Sequence, residues 1–353
     1  MKSTIHEHQK NNLKIVSKNL KNIGLVLGLT LTIFSCTPND PTDPNGNPNG
    51  NPNANPNLLQ IKSSSTGNAS NLWNLGSGTL VPNVSTLTTF TNLRTNDPIV
   101  SSAGLLSQTT MKWQSSAYDK MNKKYAVSLA ETIVIYDMSS SSVPTPTTYN
   151  IAVGTTSANF IMAMEYVNGD LYVIQNNEIK KFASGVLTSI GSGIMLPAPT
   201  SVFDTVSNMT SNGNIIYFTL LGKLYSFDVI TSTLSSVSIS GWSADISYNG
   251  LEYCTTNNRL YTTKRYPTSA SADDFVTMNL AGVETTVITG LSYTKDFSRI
   301  SSAVDQATNI YYLSSSNGFG INLNTVTEIN LLTAANSVYG GTSGYAFGLQ
   351  YKD

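Results

Sequence analysis

Cysteine and histidine are the scarcest reactive side chains in this 353-residue chain, and three of the four lie within its first 36 residues: His6, His8 and Cys36, with Cys254 standing apart. Residues 1–22 carry five lysines (Lys2, Lys10, Lys14, Lys18, Lys21) against one acid, Glu7. A 12-residue apolar run follows, Ile23 to Phe34, and then Ser35 and Cys36. Basic, then apolar, then small is the layout of an export signal. The run is too short for a spanning helix, which needs about 20 residues. Removing such a leader takes both histidines with it. The exported chain then has no imidazole, the commonest general base and metal ligand. Ser-His-Asp and Cys-His catalysis and His-built zinc sites are excluded, and no catalytic residue is assigned. Cys254 is then without a partner for an internal disulfide. Its setting, Leu251-Glu-Tyr-Cys254, reads as an apolar strand and therefore as a buried structural thiol.

What remains for chemistry is carboxylate, amide and phenol. Glu165, Glu252 and Gln350 stand in similar local contexts, Met164-Glu-Tyr166, Gly250-Leu-Glu-Tyr253 and Gly348-Leu-Gln-Tyr351. Two carboxylates and an amide brought together could hold Ca²⁺ or a sugar, because hard cations take oxygen ligands. A second group lies in the segment 264–274, where Arg265, Tyr266, Asp273 and Asp274 could contact a glycan or a protein. Long loops on a rigid scaffold often carry binding. Trp113 and Trp242 could stack on sugar rings, although tryptophan in a repeat fold more often packs in the core.

Ile33-Phe34-Ser35-Cys36 resembles the lipobox of bacterial lipoproteins. That resemblance implies a signal peptide over 1–35 and a Cys36 thiol carrying palmitate-type acyl chains as residue one of the mature protein. Stable anchoring needs more than one chain, which the lipoprotein modification supplies. Residues 37–57 hold six prolines, eight asparagines and no large apolar side chain. Such a segment cannot offset its ordering entropy by burial. It is expected to be a disordered tether, reaching roughly 65 Å extended and nearer 25 Å as a coil. The domain proper is then 58–353. The triplet Asp204-Thr205-Val206 resembles an O-glycosylation acceptor of the Bacteroidota, which points to that phylum. The expected location is the outer membrane, facing the cell exterior.

The elements that must position these groups repeat along residues 110–353. Each copy is a short apolar strand, a turn rich in Asn, Gly or Asp, and a second strand bearing tyrosine. The second-strand tyrosines, Tyr125, Tyr172, Tyr217, Tyr261 and Tyr311, are separated by 47, 45, 44 and 50 residues. Asn168-Gly169 between two alternating runs is a strong hairpin signal, because both turn residues accept positive φ. A third strand follows each hairpin: 132–137, 178–182, 223–228, 275–279 and 320–323. A more polar fourth comes after it, as at 234–239 and 284–288. Four strands every 40–50 residues is the period of a propeller blade, and no long helical period intervenes. The chain ends on 344–351, which reads as a first strand, and the segments 59–62, 71–75 and 79–81 offer the strands it lacks. A blade shared between the termini would close the ring without a raw sheet edge.

The resemblance is to β-propeller repeat proteins of the broad bacterial class with Tyr-Val-type strand repeats, over about residues 58–353. There is no Gly-His…Trp-Asp signature, kelch glycine pair or sialidase Asp-box. The expected fold is all-β, six four-stranded blades with terminal closure, or seven if residues 86–115 hide another set. Aligning the copies puts Glu165, Thr210, Glu252 and Gln350 in one column on the innermost strands, which line a propeller's channel. Charged residues are 12% of the chain, about half of the usual share. Without the leader, 15 basic side chains face 20 acidic ones, a net charge of −5. The only tight basic groups are Lys123-Lys124, Lys180-Lys181 and Lys264-Arg265, so nucleic acid is excluded as a partner. These features point to a lipid-anchored module binding a protein or glycan. The alternatives are a carboxylate- or metal-dependent hydrolase or lyase and a structural subunit of an outer-membrane assembly. No cofactor is expected beyond the lipid on Cys36, with Ca²⁺ the candidate metal.

Overall fold

The computed structural model describes residues 58–63, 70–74, 114–129, 132–139, 145–151, 161–198, 206–266, 272–291, 301–316, 323–343 and 345–352. The leader, Cys36, the tether, Trp113, Asp204 and Thr205 lie outside them. Every described element is a strand, and among the described residues no helix is long and apolar enough to cross a membrane.

The first two strands are β1 (Leu58–Ser63) and β2 (Ser70–Asn74). Five four-stranded blades follow. Blade one is β3 (Gln114–Asp119), β4 (Lys124–Leu129), β5 (Thr132–Asp137) and β6 (Thr145–Asn150). Blade two is β7 (Ile161–Val167), β8 (Asp170–Gln175), β9 (Glu178–Ala183) and β10 (Val186–Met195). Blade three is β11 (Thr210–Asn212), β12 (Ile215–Leu220), β13 (Lys223–Asp228) and β14 (Thr233–Ser238). Blade four is β15 (Ser247–Cys254), β16 (Arg259–Arg265), β17 (Asp274–Met278) and β18 (Glu284–Ile288). Blade five is β19 (Ser301–Asp305), β20 (Ile310–Ser316), β21 (Leu323–Asn330) and β22 (Asn336–Ser343). The last strand, β23 (Tyr345–Tyr351), pairs with β1.

Each blade is an antiparallel meander in sequence order. The turns follow from local chemistry. Asn168 and Gly169 both take positive φ, 53° and 83°, the twist-matched hairpin geometry. Longer turns are capped by a carboxylate instead. Asp119 accepts from the N–H groups of Met121 and Asn122, and Asp305 from those of Ala307 and Thr308. Each such turn closes on a left-handed residue, Lys123 or Asn309.

The core lies between consecutive blades. Ile174, Phe218 and Phe227 fill the gap between blades two and three. Tyr217, Leu251, Leu260 and Met278 fill that between three and four, and Cys254, Tyr261, Phe275, Tyr311 and Ile329 that between four and five. All five second-strand tyrosines are buried, Tyr172, Tyr217, Tyr261 and Tyr311 in these seams and Tyr125 against Gly348 of the last strand. Tyr217 stacks on Tyr253 with ring centroids 6.0 Å apart.

β23 joins β1, with Leu59 opposite Gln350, and β1 joins β2. The termini therefore share one sheet. It has three strands among the described residues, where a four-stranded blade was expected. The segment 79–81, expected as its fourth strand, and the segment 86–113 lie outside the described residues. The third strand of blade five runs from Leu323 to Asn330, with Val326 and Ile329 buried; residues 320–322, expected as most of that strand, lie outside the described residues.

Candidate functional site

The first strand of each blade is innermost. β3, β7, β11, β15, β19 and β23 adjoin one another in that order, and β23 adjoins β3 again. This ring carries the expected column. Glu165, Thr210 and Glu252 each lie opposite the second-strand tyrosine of their own blade, Tyr172, Tyr217 and Tyr261.

The polar side chains of the ring pair across blade boundaries. The Ser211 hydroxyl donates to Glu165 Oε1 at 2.8 Å. The Ser302 hydroxyl donates to Glu252 Oε1 at 2.7 Å. Gln350 Nε2 donates to Ser116 Oγ at 3.0 Å and to the Ser116 carbonyl at 3.1 Å. In each case a long side chain on one inner strand meets a serine on the next. Thr210 shares the column but faces its neighbour's backbone, accepting the Tyr253 N–H at 3.0 Å. Ser115 accepts the Met164 N–H and Ser301 the Gly348 N–H, both at 3.0 Å.

The ring therefore alternates. Three inner strands carry a Ser-Ser or Thr-Ser pair, at 115–116, 210–211 and 301–302. The three between them carry Glu165, Glu252 and Gln350. Two of these three also share a glycine two residues earlier. Gly250 and Gly348 have φ of +71° and +72°, a region that costs L-residues strain. A Cβ at Gly250 would lie 2.6 Å from the Tyr311 hydroxyl, and one at Gly348 2.7 Å from that of Tyr125. Those hydroxyls donate to the carbonyl oxygens of Gly250 and Gly348.

Glu165 and Glu252 are half-buried. Burial pushes Glu165 up to about 8, against the Ser211 hydrogen bond, with the charge of Glu252 adding to the rise and Lys120 opposing it. Burial pushes Glu252 to about 7, against the Ser302 hydrogen bond and Lys120. Near neutrality the pair holds fewer than two charges. Such a site can exchange protons and offer both donors and acceptors to a ligand.

The 264–274 group is brought together, but elsewhere, on the second and third strands of blade four. Arg265 Nε donates to Asp273 Oδ2 at 2.8 Å with both side chains buried. The Tyr266 N–H donates to Asp273 Oδ1 at 3.3 Å, and the Tyr266 hydroxyl to Asp274 Oδ2 at 3.0 Å. Asp274 Oδ1 accepts the Gly290 N–H. These bonds clamp the two ends of the segment to each other and to the end of β18. Nearby, Lys264 pairs with Glu284 at 2.7 Å, and the Tyr248 hydroxyl donates to the same carboxylate. Trp242 packs over Gly222 and donates to the Ile246 carbonyl, as a core residue would. Cys254 is buried, as expected, with its thiol 3.5 Å from Asn309 Oδ1.

Sequence reasoning did not single out Ser116, Ser211 and Ser302. The signal was the hydroxyl pair recurring on alternate first strands. Among the described residues no three Asp, Glu, Cys or His side chains converge on a metal position.

No protein-family model matches the chain, and no curated protein does. Solved structures do. TolB from Acinetobacter baumannii aligns at 11% identity and a TM-score of 0.45 over 83% of this chain and 66% of that one. A member of the DUF4221 family from Bacteroides vulgatus aligns at 12% identity and a TM-score of 0.41, over 67% of this chain and 84% of that one. A chain of a mitotic checkpoint complex aligns at 12% identity and a TM-score of 0.42, over 66% of this chain and 65% of that one.

Proposed function

We propose that this chain is a lipid-anchored, surface-exposed binding module whose β-propeller takes a protein or glycan ligand at its central channel. The observation that carries the reading is the polar ring itself. Glu165, Glu252 and Gln350 each have one polar atom held by a serine of the next blade, and each has an oxygen besides that one. A glycan or peptide bond presents matching donors and acceptors. The terminal sheet is read as a sixth blade, completed by a fourth strand. The lipobox resemblance supports a Cys36 anchor, the 37–57 segment a tether, and the leader an export route to the outer membrane.

Array binding tests the ligand site. Protein displayed on glycan and peptide arrays should lose its hits when Glu165, Glu252 and Gln350 are all replaced by Ala and keep them in Tyr266→Ala. Hits that survive the triple change would move the site off the channel. The anchor has its own test. Cells fed a radioactive fatty acid should label the wild-type protein and not Cys36→Ser, and protease added to intact cells should remove the domain. Label on the serine variant, or full protection from protease, would refute the anchor or its orientation respectively.

A further inference from the structure

The blades gather two sets of turns at one face. The ends of the first strands and the turns after them bond from blade to blade: Asn168 Nδ2 donates to Asn214 Oδ1 at 2.8 Å, Asn212 Nδ2 to the Tyr253 hydroxyl at 2.9 Å, and the Thr255 N–H to Gln306 Oε1 at 2.9 Å. The turns between third and fourth strands lie at the same end. The N–H groups of Met138, Val229 and Leu331 donate to the carbonyls of Lys123, Asn214 and Asn309, in the first turns of their own blades, at 2.8, 3.0 and 2.9 Å.

This face carries exposed apolar side chains at matching positions. Asp228 caps the last turn of blade three by accepting the N–H groups of Ile230 and Thr231, and Asn330 caps that of blade five by accepting those of Leu332 and Thr333. Asp119 caps the first turn of blade one in the same way, through Met121 and Asn122. The residue two after each cap is large, apolar and exposed: Met121 by 70%, Ile230 by 67% and Leu332 by 62%. In the turns capped by Asp137, Asn279 and Asp305 that position holds Ser139, Ala281 and Ala307, none of them charged. Apolar side chains exposed singly are ordinary. Three at one position of one turn type, all on one face, are a pattern. The caps also give turn N–H groups a partner, which lowers the cost of taking them out of water.

The chain from Cys36 joins the fold at the same face. Leu58 begins β1 opposite Tyr351, the last residue of β23, and the Tyr351 hydroxyl bonds the Asp305 carboxylate of the blade-five turn. Only residues 37–57 lie between Leu58 and Cys36. We infer that this face docks on the lipid surface that holds the anchor, with Met121, Ile230 and Leu332 entering the headgroup region. The inference rests on the Cys36 reading above. A link joined at that face keeps it nearest the lipid, and a short link raises the effective concentration enough for a small apolar patch to bind. Lys120 and Lys123 flank Met121 and add attraction to anionic headgroups. The opposite face, with the 264–274 segment, is turned outward.

Quenching by lipid tests the docking. The full chain, purified from membranes, is reconstituted in phosphatidylcholine and phosphatidylglycerol vesicles containing a doxyl-labelled lipid. A genetically encoded fluorescent amino acid replaces Thr231 or Thr333, beside the apolar tips, or Lys223 at the opposite end of blade three. Quenching at 231 and 333 should exceed that at 223 about threefold or more, and the combined change Met121→Ser, Ile230→Ser, Leu332→Ser should erase the difference. Equal quenching at both ends, or a difference that survives the triple change, would overturn the docking. So would equal quenching together with a dimer that the triple change dissolves, which would assign the face to a second copy. Fatty-acid label in the same preparations reads the anchor separately. Unlabelled protein that keeps the quenching difference retains the docking face and loses the anchor; labelled protein without the difference does the reverse.

Discussion

Two groups of enclosed polar side chains sit in this propeller and differ in one respect. In blade four, Arg265 and Asp273 are 8% and 0% exposed and neutralise each other, and further hydrogen bonds from the same segment complete the clamp. In the channel, Glu165 and Glu252 face hydroxyls, Glu165 also feels the charge of Glu252, and the cation acting on both is Lys120. The first arrangement closes its electrostatics internally and leaves little for a ligand to add. The second rests on neutral hydroxyl partners and is left protonatable. Burial alone does not separate the two groups; the identity of the partner does.

Changes that break the comparison should rank accordingly. Asp273→Ala strands a buried guanidinium and should cost about 3–5 kcal/mol, seen as a large drop in urea midpoint. A loss under 1 kcal/mol would make the clamp a surface feature. Gly250→Ala comes next. It forces a Cβ toward the Tyr311 hydroxyl at a φ of +71° and should cost about 1–3 kcal/mol. Wild-type stability would show that the contact between residue 250 and Tyr311 is loose. Glu165→Gln keeps shape and a hydrogen bond to Ser211, so at pH 4, where the carboxyl is neutral in most of the folded and unfolded chains alike, it should change stability by less than about 1 kcal/mol. A larger loss there would mean that the folded state needs the carboxylate form. Smallest of all, Lys181→Ala removes a half-exposed pair with Asp170, 38% and 45% exposed, and should shift stability by under about 0.5 kcal/mol. This calibrates the denaturation series.

Much of the fold was legible because its signals are local. Asn168-Gly169 specifies a hairpin through backbone conformation alone. The tyrosine spacing counts the blades, and the likeness of Gly348-Leu-Gln-Tyr351 to Gly250-Leu-Glu-Tyr253 places the last strand innermost. The described part of the third strand of blade five was missed because its buried aliphatics, Val326 and Ile329, stand three apart among polar residues and show no period of two. The site was half legible. The carboxylates stood out because aligning the copies puts them in one column of the first strands. Their serine partners did not, because they come from the next blade, tens of residues away, in a chain crowded with hydroxyls. The Arg265–Asp273 clamp was read as a binding loop, since a charged segment rich in small residues reads as exposed until both ends are seen to bond each other.

If Glu165 and Glu252 line the channel and trade protons near neutrality, carbon-13 NMR of the glutamate side-chain carboxyls, assigned with Glu165→Gln and Glu252→Gln, will see it directly. Two resonances should titrate with midpoints about 8 and about 7, well apart from the remaining glutamates. Midpoints at the ordinary 4 to 5 for both would place these carboxylates in open water and contradict it.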